Sequence, residues 1–358
     1  MTTTDTPRLD EAALEQFVHQ AVGDLAAAIS GLMLHLGDRL GLYRAMAGAG
    51  PLTPSALAER TGTHERYVRE WLSNQAAGGY VAYDAAGGTF ELDAGHAFVL
   101  ADEQSPVFLG GAFETVASCY TDHEAFADAF VTGDGVAWGD HDDRLYTGCL
   151  RLFRTGYEAY LVDAWLPALD GVVEKLRDGA SVADVGCGYG ASTVIMARAF
   201  EHSTFVGIDS HGHSIDQARA AALEAGVARR TRFETSPATG LPGTGYDLVT
   251  MFDCLHDMGD PVGVARRVRE SLAADGTLLL VEPAAGPRLE DNLNPVGRMY
   301  YGLSTVICTP SSLAQEVGLG LGAQAGPERL EQLLREAGFS HVRVATSTPF
   351  NLIVEAKP

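Results

Sequence analysis

Apolar and polar residues alternate in short blocks over the second half of the chain, from residue 176 to the end. Short apolar runs are followed by segments in which apolar side chains recur at helical spacing. This alternation predicts an α/β fold, a Rossmann-like doubly wound sheet. Because only about three residues separate the last two apolar runs, these two strands must form an antiparallel hairpin. The predicted strands are 181–186, 204–209, 231–234, 247–252, 277–282, 341–346 and 350–356.

The first half of the chain has the pattern of helices. Residues 9–48 place apolar side chains at helical spacing, which predicts two helices whose apolar faces are too wide for one partner. Such faces are typical of a dimer interface, and packing within one subunit would explain them equally well.

Residues 51–92 have the order of a winged helix. Thr53 is the expected N-cap of its first helix and Pro54 the first-turn residue. The second helix offers only Arg66 and Arg69, each with an acidic neighbour, whereas a DNA-binding helix needs a basic stripe. We therefore expect a structural, dimerising module that does not bind nucleic acid.

The patterns divide the chain into three parts. Residues 1–100 form an N-terminal helical and winged-helix dimerisation domain, and residues 101–175 form a helical linker and substrate-pocket segment. Residues 176–358 form the Rossmann-like domain, preceded by a long helix that carries Tyr157 as a candidate substrate contact.

The strongly acidic composition bears on which partners the protein can bind. The formal net charge is −22, and residues 101–180 carry 15 Asp and Glu against 5 Lys and Arg. Such a surface repels phosphate backbones and anionic membranes, so neither partner is expected. If the middle segment faces the substrate, anionic substrates are disfavoured; a solvated acidic face is the alternative.

Three further expectations concern location and metal. No apolar run approaches the roughly 20 residues that span a bilayer, and residues 1–5 do not begin a signal peptide. The five cysteines are scattered and never spaced C-x-x-C, which predicts free thiols in a reducing cytoplasm. No metal site is expected.

A glycine turn is the strongest chemical signal. The first strand of the sheet runs into Gly186, Gly188 and Gly190, and the next strand ends at Asp209. A glycine turn followed by an acid at the tip of the next parallel strand is how such a sheet holds an adenosine. The bound molecule is either a dinucleotide or S-adenosylmethionine. Asp184 favours the second, because a carboxylate there would repel a pyrophosphate and would help to order a cationic amino-acid group.

Over nearly its whole length the sequence resembles class I S-adenosylmethionine-dependent methyltransferases with an N-terminal winged-helix dimerisation domain. The turn matches their D-x-G-x-G-x-G motif, and residues 63–71 match phrases found in a bacterial set of such enzymes. The resemblance implies S-adenosyl-L-methionine as cofactor and a homodimer. The cofactor residues that it implies are Asp184, Gly186, Gly188, Gly190, Asp209, His211, Thr235, Ser236, Asp253 and Cys254.

The exit of the fourth predicted strand carries His256 and Asp257. In the small-molecule O-methyltransferases that the chain resembles, a His-Asp-Trp-x-Asp phrase occupies this place, and Met258 replaces its tryptophan here. The resemblance implies that His256 is the general base. A hydroxyl or ring N–H is a poor nucleophile until a group that titrates near neutrality takes its proton. Capping of the next helix or stabilisation of Asp257 is the alternative role.

The acceptor pocket is expected under a polar and aromatic segment, residues 291–301. Asn294, Arg298, Tyr300 and Tyr301 are its candidate substrate contacts, although the aromatic residues would also serve as packing.

The sequence therefore predicts a methyltransferase that acts on a small, aromatic metabolite at oxygen, nitrogen or carbon. Two other classes stay open: a winged-helix regulator that senses S-adenosylmethionine without catalysis, and an NAD-dependent oxidoreductase.

Overall fold

The computed structural model describes residues 9–358, so the expectation about the first five residues lies outside the described part of the chain. These residues form two compact units, up to Ala117 and from Ser118 onward. The expected segment 101–175 is thus not a unit of its own. Its first residues belong to the N-terminal unit, and its helices from His123 onward belong to the C-terminal one.

The N-terminal unit contains a winged helix, as predicted. Its buried core joins the helices to the second strand of the wing, and the Trp71 indole N–H donates to the Met33 carbonyl over 2.8 Å. Arg66 and Arg69 form ion pairs with Glu70 and Glu65, one turn away on the same helix. The elements are α1 (Glu11–Arg39), α2 (Leu42–Met46), α3 (Pro54–Thr61), α4 (Glu65–Ala77), β1 (Ala82–Asp84), β2 (Thr89–Glu91), α5 (Ala94–Leu100) and α6 (Gly110–Thr121). The last residues of α6, from Ser118, belong to the C-terminal unit.

Helix α1 is much longer than its neighbour α2. Only its last turns are buried, around Leu34 and Asp38, while most side chains before residue 33 are exposed. By length and composition alone, α1 is apolar enough to cross a membrane. The expectation that no segment approaches that length is therefore wrong, because the few charged residues of α1 are spread widely enough to leave a long apolar stretch.

The C-terminal unit is the predicted α/β domain, and all seven predicted strands are present. The long predicted helix ends as a π-helical segment, Tyr157–Trp165, and a second π-helical segment covers Ser304–Cys308. The other elements are α7 (His123–Thr132), α8 (Arg144–Gly156), α9 (Val172–Asp178), β3 (Ser181–Val185), α10 (Ala191–Ala199), β4 (Thr204–Asp209), α11 (Gly212–Glu224), β5 (Thr231–Thr235), β6 (Tyr246–Phe252), α12 (Pro261–Ser271), β7 (Leu272–Pro283), α13 (Pro295–Leu303), α14 (Thr309–Leu313), α15 (Gly326–Glu336), β8 (His341–Ser347) and β9 (Asn351–Lys357).

The strands form one sheet in the order β5-β4-β3-β6-β7-β9-β8. The first five are parallel, and β9 is antiparallel to both β7 and β8, which confirms the terminal hairpin. Successive strand residues such as Val182 and Ala183 belong to different buried clusters, so the sheet is covered on both faces. The carboxyl ends of β3, β4 and β6 consequently meet at one edge, where ligands bind in such sheets.

Candidate active site

The glycine turn after β3 shapes the floor of a pocket at this edge. Gly186, Gly188 and Gly190 all have positive φ. A Cβ on Gly186 would lie 2.8 Å from the Cys254 sulfur, and one on Gly190 would lie 2.8 Å from Ala218 Cβ. A Cβ on Gly188 would meet nothing within 4 Å, so this residue leaves open space in the pocket. The turn thus fits a nucleoside that lies directly against backbone.

Asp209 connects the turn to the tip of β4. Its carboxylate accepts hydrogen bonds from the backbone N–H groups of Gly188, over 2.9 Å, and His211, over 2.8 Å. The side chain also lines the pocket. Burial raises the pKa of Asp209, and the two backbone donors offset part of that effect. The carboxylate is therefore placed to accept further hydrogen bonds from a ribose.

Asp184 does not reach the pocket. Its buried carboxylate accepts hydrogen bonds from the hydroxyls of Ser192 and Thr193, both over 2.6 Å, and of Thr250, over 2.9 Å. Burial raises the pKa of Asp184, and the three hydroxyls act in the opposite direction. The residue holds the start of α10 against β3 and β6, so its place in the structure suits ordering of the glycine turn and not direct contact with a molecule in the pocket.

The other predicted cofactor residues are divided. Ser236, Asp253 and Cys254 line the pocket, together with Gly186, Gly188 and Asp209. Gly190, His211 and Thr235 lie outside its wall. His211 instead packs on the ring of Tyr146, with ring centroids 4.3 Å apart, and its Nδ1 lies 2.8 Å from the Ser214 hydroxyl.

An aromatic and aliphatic wall lines the same pocket as the glycine turn, and Tyr157 is the one residue of this wall that was predicted from the sequence. The face of α8 and the segment before it supply most of this wall. The wall residues of α8 recur every three or four residues, as on one helix face. This spacing is the feature of the sequence from which the wall could have been predicted. The wall consists of Trp138, Tyr146, Cys149, Leu150, Phe153 and Tyr157.

The predicted acceptor contacts in residues 291–301 lie elsewhere. Asn294 caps α13 by accepting from the Gly297 N–H, and the Tyr300 hydroxyl donates to the Phe350 carbonyl over 2.9 Å. Arg298 and Tyr301 also lie outside the pocket wall. The predicted cover is therefore corrected: none of these four residues lines the pocket, whereas Ser311 and Gln315, further along the chain, do.

His256 lies behind the pocket wall, and Asp257 forms part of the wall. The buried imidazole uses Nδ1 to bond the Glu282 carboxylate, and its Nε2 lies 3.2 Å from Asp257 Oδ1. Glu282 also accepts from the Leu255 N–H over 3.1 Å. Burial alone lowers the pKa of His256, but the carboxylates of Glu282 and Asp257 outweigh it and raise that pKa well above its usual value.

Asp253 stands at the end of β6 with a left-handed backbone, φ 47°. A non-glycine residue in this region is strained, and such strain concentrates at functional sites. The Asn351 amide donates to its carboxyl over 3.2 Å. Burial, followed by the charge of Glu282, raises the pKa of Asp253 to about 8.

Comparison with known proteins identifies both units. Residues 27–102 match the family described as "Rv2258c-like winged HTH domain", and residues 183–278 match "Methyltransferase domain". A protein of Streptomyces lavendulae named "Mitomycin biosynthesis 6-O-methyltransferase" is 26% identical over 94% of this chain and 100% of its own length. The "27-O-demethylrifamycin SV methyltransferase" of Amycolatopsis mediterranei is 29% identical over 46% of this chain and 55% of its own length.

Solved structures share the whole fold. Mitomycin 7-O-methyltransferase MmcR superposes with a TM-score of 0.68 at 20% identity, covering 97% of this chain and 100% of that one. Human N-acetylserotonin methyltransferase, solved with S-adenosylmethionine, gives a TM-score of 0.68 at 16% identity, covering 100% and 99%. At these identities the likeness establishes the architecture alone.

The matched domains and the full-length relative settle the class of enzyme. The chain is an S-adenosylmethionine-dependent methyltransferase with an N-terminal winged-helix domain. The interpretation as an NAD-dependent oxidoreductase is therefore wrong.

Proposed function

We propose that this S-adenosylmethionine-dependent methyltransferase methylates a hydroxyl group of a small aromatic metabolite. The proposal rests on the lining of one pocket. Gly188 and Asp209, which are suited to a nucleoside, line it together with the aromatic wall that contains Phe153 and Tyr157. Flat apolar acceptors fit such a wall, since aromatic side chains pack well against rings. The names "Mitomycin biosynthesis 6-O-methyltransferase" and "27-O-demethylrifamycin SV methyltransferase" both refer to an oxygen position, which favours oxygen here as well.

When bound, the cofactor supplies a methyl group on a cationic sulfonium. Asp253 and Asp257 line the same pocket, and Glu282 bonds His256 behind them. A cation bound there lowers the raised pKa of Asp253 and favours the charged form of these acidic groups, which in turn stabilises the cation. The protein's main task in such a displacement is alignment of the two reacting groups at about 3 Å.

His256 and Glu282 form the proposed proton-accepting pair. Glu282 orients the imidazole through Nδ1, which leaves Nε2 directed towards Asp257. Asp257 is the proposed relay residue because it lines the pocket in front of the imidazole. A positive charge at the cofactor position would lower the pKa of His256 and free Nε2 to accept the acceptor's proton.

The variant His256→Asn tests this role. Its side-chain amide can still donate to Glu282, so this carboxylate keeps a donor, whereas the Nε2 atom that faces Asp257 is lost. We expect kcat to fall about 10²–10⁴-fold with nearly unchanged affinity for S-adenosylhomocysteine. Turnover is followed by mass spectrometry with a panel of phenolic and hydroxyquinone acceptors.

The possible outcomes separate the hypotheses. Unchanged turnover in His256→Asn removes this residue from the mechanism. Methylation of nitrogen or carbon would correct the acceptor atom. Binding of S-adenosylhomocysteine without transfer to any acceptor would support the sensor hypothesis, which the paired arginines of α4 do not favour.

The chain is further proposed to be a homodimer through α1. Val18, Val22, Leu25, Ile29 and Leu32 are all exposed, and their spacing alternates between three and four residues along one helix face. This is the seam that two helices bury against each other in a coiled coil.

A membrane explains α1 less well than a second helix does. Asp24 would lie near the centre of a spanning segment, which costs about 2.5–3.5 kcal/mol. The five free cysteines are consistent with the proposed cytoplasmic location.

A further inference from the structure

Three potential metal ligands meet behind the pocket wall. His256, Asp257 and Cys308 place one nitrogen, one oxygen and one sulfur atom within 4.8 Å of one another. His256 and Cys308 are buried, and Asp257 reaches the pocket. No metal site is expected from the scattered cysteines of the sequence, and Cys308 meets the other two residues only in the folded chain.

The orientation of the His256 imidazole favours a positive charge between its Nε2 atom and the Asp257 carboxylate. When Nδ1 donates to Glu282, the neutral ring carries its lone pair on Nε2. That nitrogen lies 3.2 Å from Asp257 Oδ1, a buried atom with no hydrogen-bond partner among residues 9–358. Two electron-rich atoms therefore face each other, and either a proton on Nε2 or a cation must lie between them.

The three donors match one class of cation. A neutral imidazole, a carboxylate and a thiolate are the ligands that zinc prefers, and three protein ligands with an open fourth position are its usual arrangement in reactive sites. Glu282 would complete the common carboxylate–histidine–zinc pattern by holding Nδ1. Asp257 provides the entry path, since it borders the pocket.

Cys308 lies in a π-helical segment, which is a rare backbone conformation in proteins. It is the last residue of the π-helical segment Ser304–Cys308. Single π-helical turns inside helices occur frequently at functional sites.

We propose that His256, Asp257 and Cys308 bind one Zn²⁺ ion per chain. Binding forms bonds from zinc to Nε2, to the Asp257 carboxylate and to the Cys308 sulfur, and both the Nε2 proton and the thiol proton are released to solvent. The ion occupies the Nε2 lone pair, so zinc inhibits turnover if His256 is the base. The site itself does not depend on that role, whereas the inhibition does.

Cobalt provides a direct readout that needs no acceptor. Full-length, chelator-treated protein is titrated with Co²⁺, and the thiolate-to-cobalt charge-transfer band is followed in the near ultraviolet. Zinc affinity is then measured by competition with a chromophoric chelator. We expect one ion per chain with the band present.

Variants locate the ion. Cys308→Ser should abolish the charge-transfer band, and Asp257→Asn should weaken binding. Glu282→Gln should weaken binding about 10–100-fold, as removal of a residue that orients a ligand does. Cys119→Ser is the matched control, because this thiol lies outside the cluster and should leave the band intact. Binding of S-adenosylhomocysteine and circular dichroism verify that each variant is folded.

Two results would overturn the site. One is the absence of stoichiometric metal binding, which would mean that a proton occupies the position. The other is a band that survives in Cys308→Ser. Metal binding without inhibition would instead count against His256 as the base and leave the site intact.

Discussion

At the scale of single residues, the same turn uses its glycines for different purposes. Gly188 and Gly190 both have a left-handed backbone, yet only Gly190 is pressed against another element. Gly188 borders the pocket. The effect of backbone strain on stability can therefore be distinguished from the effect on cofactor binding by comparing an alanine substitution at Gly188 with one at Gly190.

Gly188→Ala should reduce cofactor affinity with a limited loss of stability. The left-handed backbone costs about 1–2 kcal/mol for alanine, and no protein atom lies within 4 Å of the new Cβ. The methyl group occupies space intended for the nucleoside, so we expect at least a tenfold loss of S-adenosylhomocysteine affinity, about 1.4 kcal/mol.

Gly190→Ala is the comparison variant. It carries the same backbone strain and in addition forces a Cβ to 2.8 Å from Ala218 Cβ, so its melting temperature should fall further. Calorimetric titration and thermal unfolding measure the two effects. Equal cofactor affinity of Gly188→Ala and the wild type would show that the nucleoside does not lie on this turn.

At the scale of elements, the junction between β3 and α10 is held by a buried polar network. Asp184 joins two hydroxyls from the first turn of α10 to one from β6. The network explains why an acid stands inside a strand: it orients the helix that follows the glycine turn, and so acts on the cofactor site only indirectly.

Asp184→Ala should destabilise the fold by about 2–4 kcal/mol, because three buried hydroxyls lose their acceptor. Asp216→Ala is the control, since its ion pair with Arg219 is exposed and should contribute less than about 1 kcal/mol. Urea unfolding measures both. A loss of cofactor affinity without any loss of stability would restore the direct binding role.

At the scale of the whole molecule, α1 carries a row of exposed apolar side chains that no other part of the described chain, residues 9–358, covers. Its exposed seam ends where the helix enters the core of the N-terminal unit, near Leu34. A helix with such a seam is expected to associate, and a second copy of the same helix provides the matching surface.

The double variant Val22→Glu/Ile29→Glu should convert the proposed dimer to a monomer, because it buries like charges in the seam. Gln20→Glu/Ala27→Glu adds the same charge to the opposite, exposed face and should leave the dimer intact. Light scattering after size-exclusion chromatography gives the masses. A monomeric wild-type protein, or one that partitions into vesicles, would contradict the proposal.

Local sequence patterns were sufficient to predict the architecture and the glycine-turn end of the candidate site. The strands, the terminal hairpin, the winged helix and the turn from Gly186 to Gly190 with Asp209 depend on residues close in sequence or on regular alternation. Periodicity and turn chemistry report such features directly, because the physical cause is local.

The remaining features depended on tertiary packing. The sequence predicted that Asp184 contacts the cofactor, whereas in the folded chain its carboxylate accepts hydrogen bonds from three buried hydroxyls. The acceptor wall came from α8 rather than residues 291–301, since which helix face meets a sheet edge is set by packing. His256 meets Glu282, 26 residues away, and Cys308 only through folding. Side-chain type along the chain showed which chemistry was available, and burial and distance decided which groups could act together.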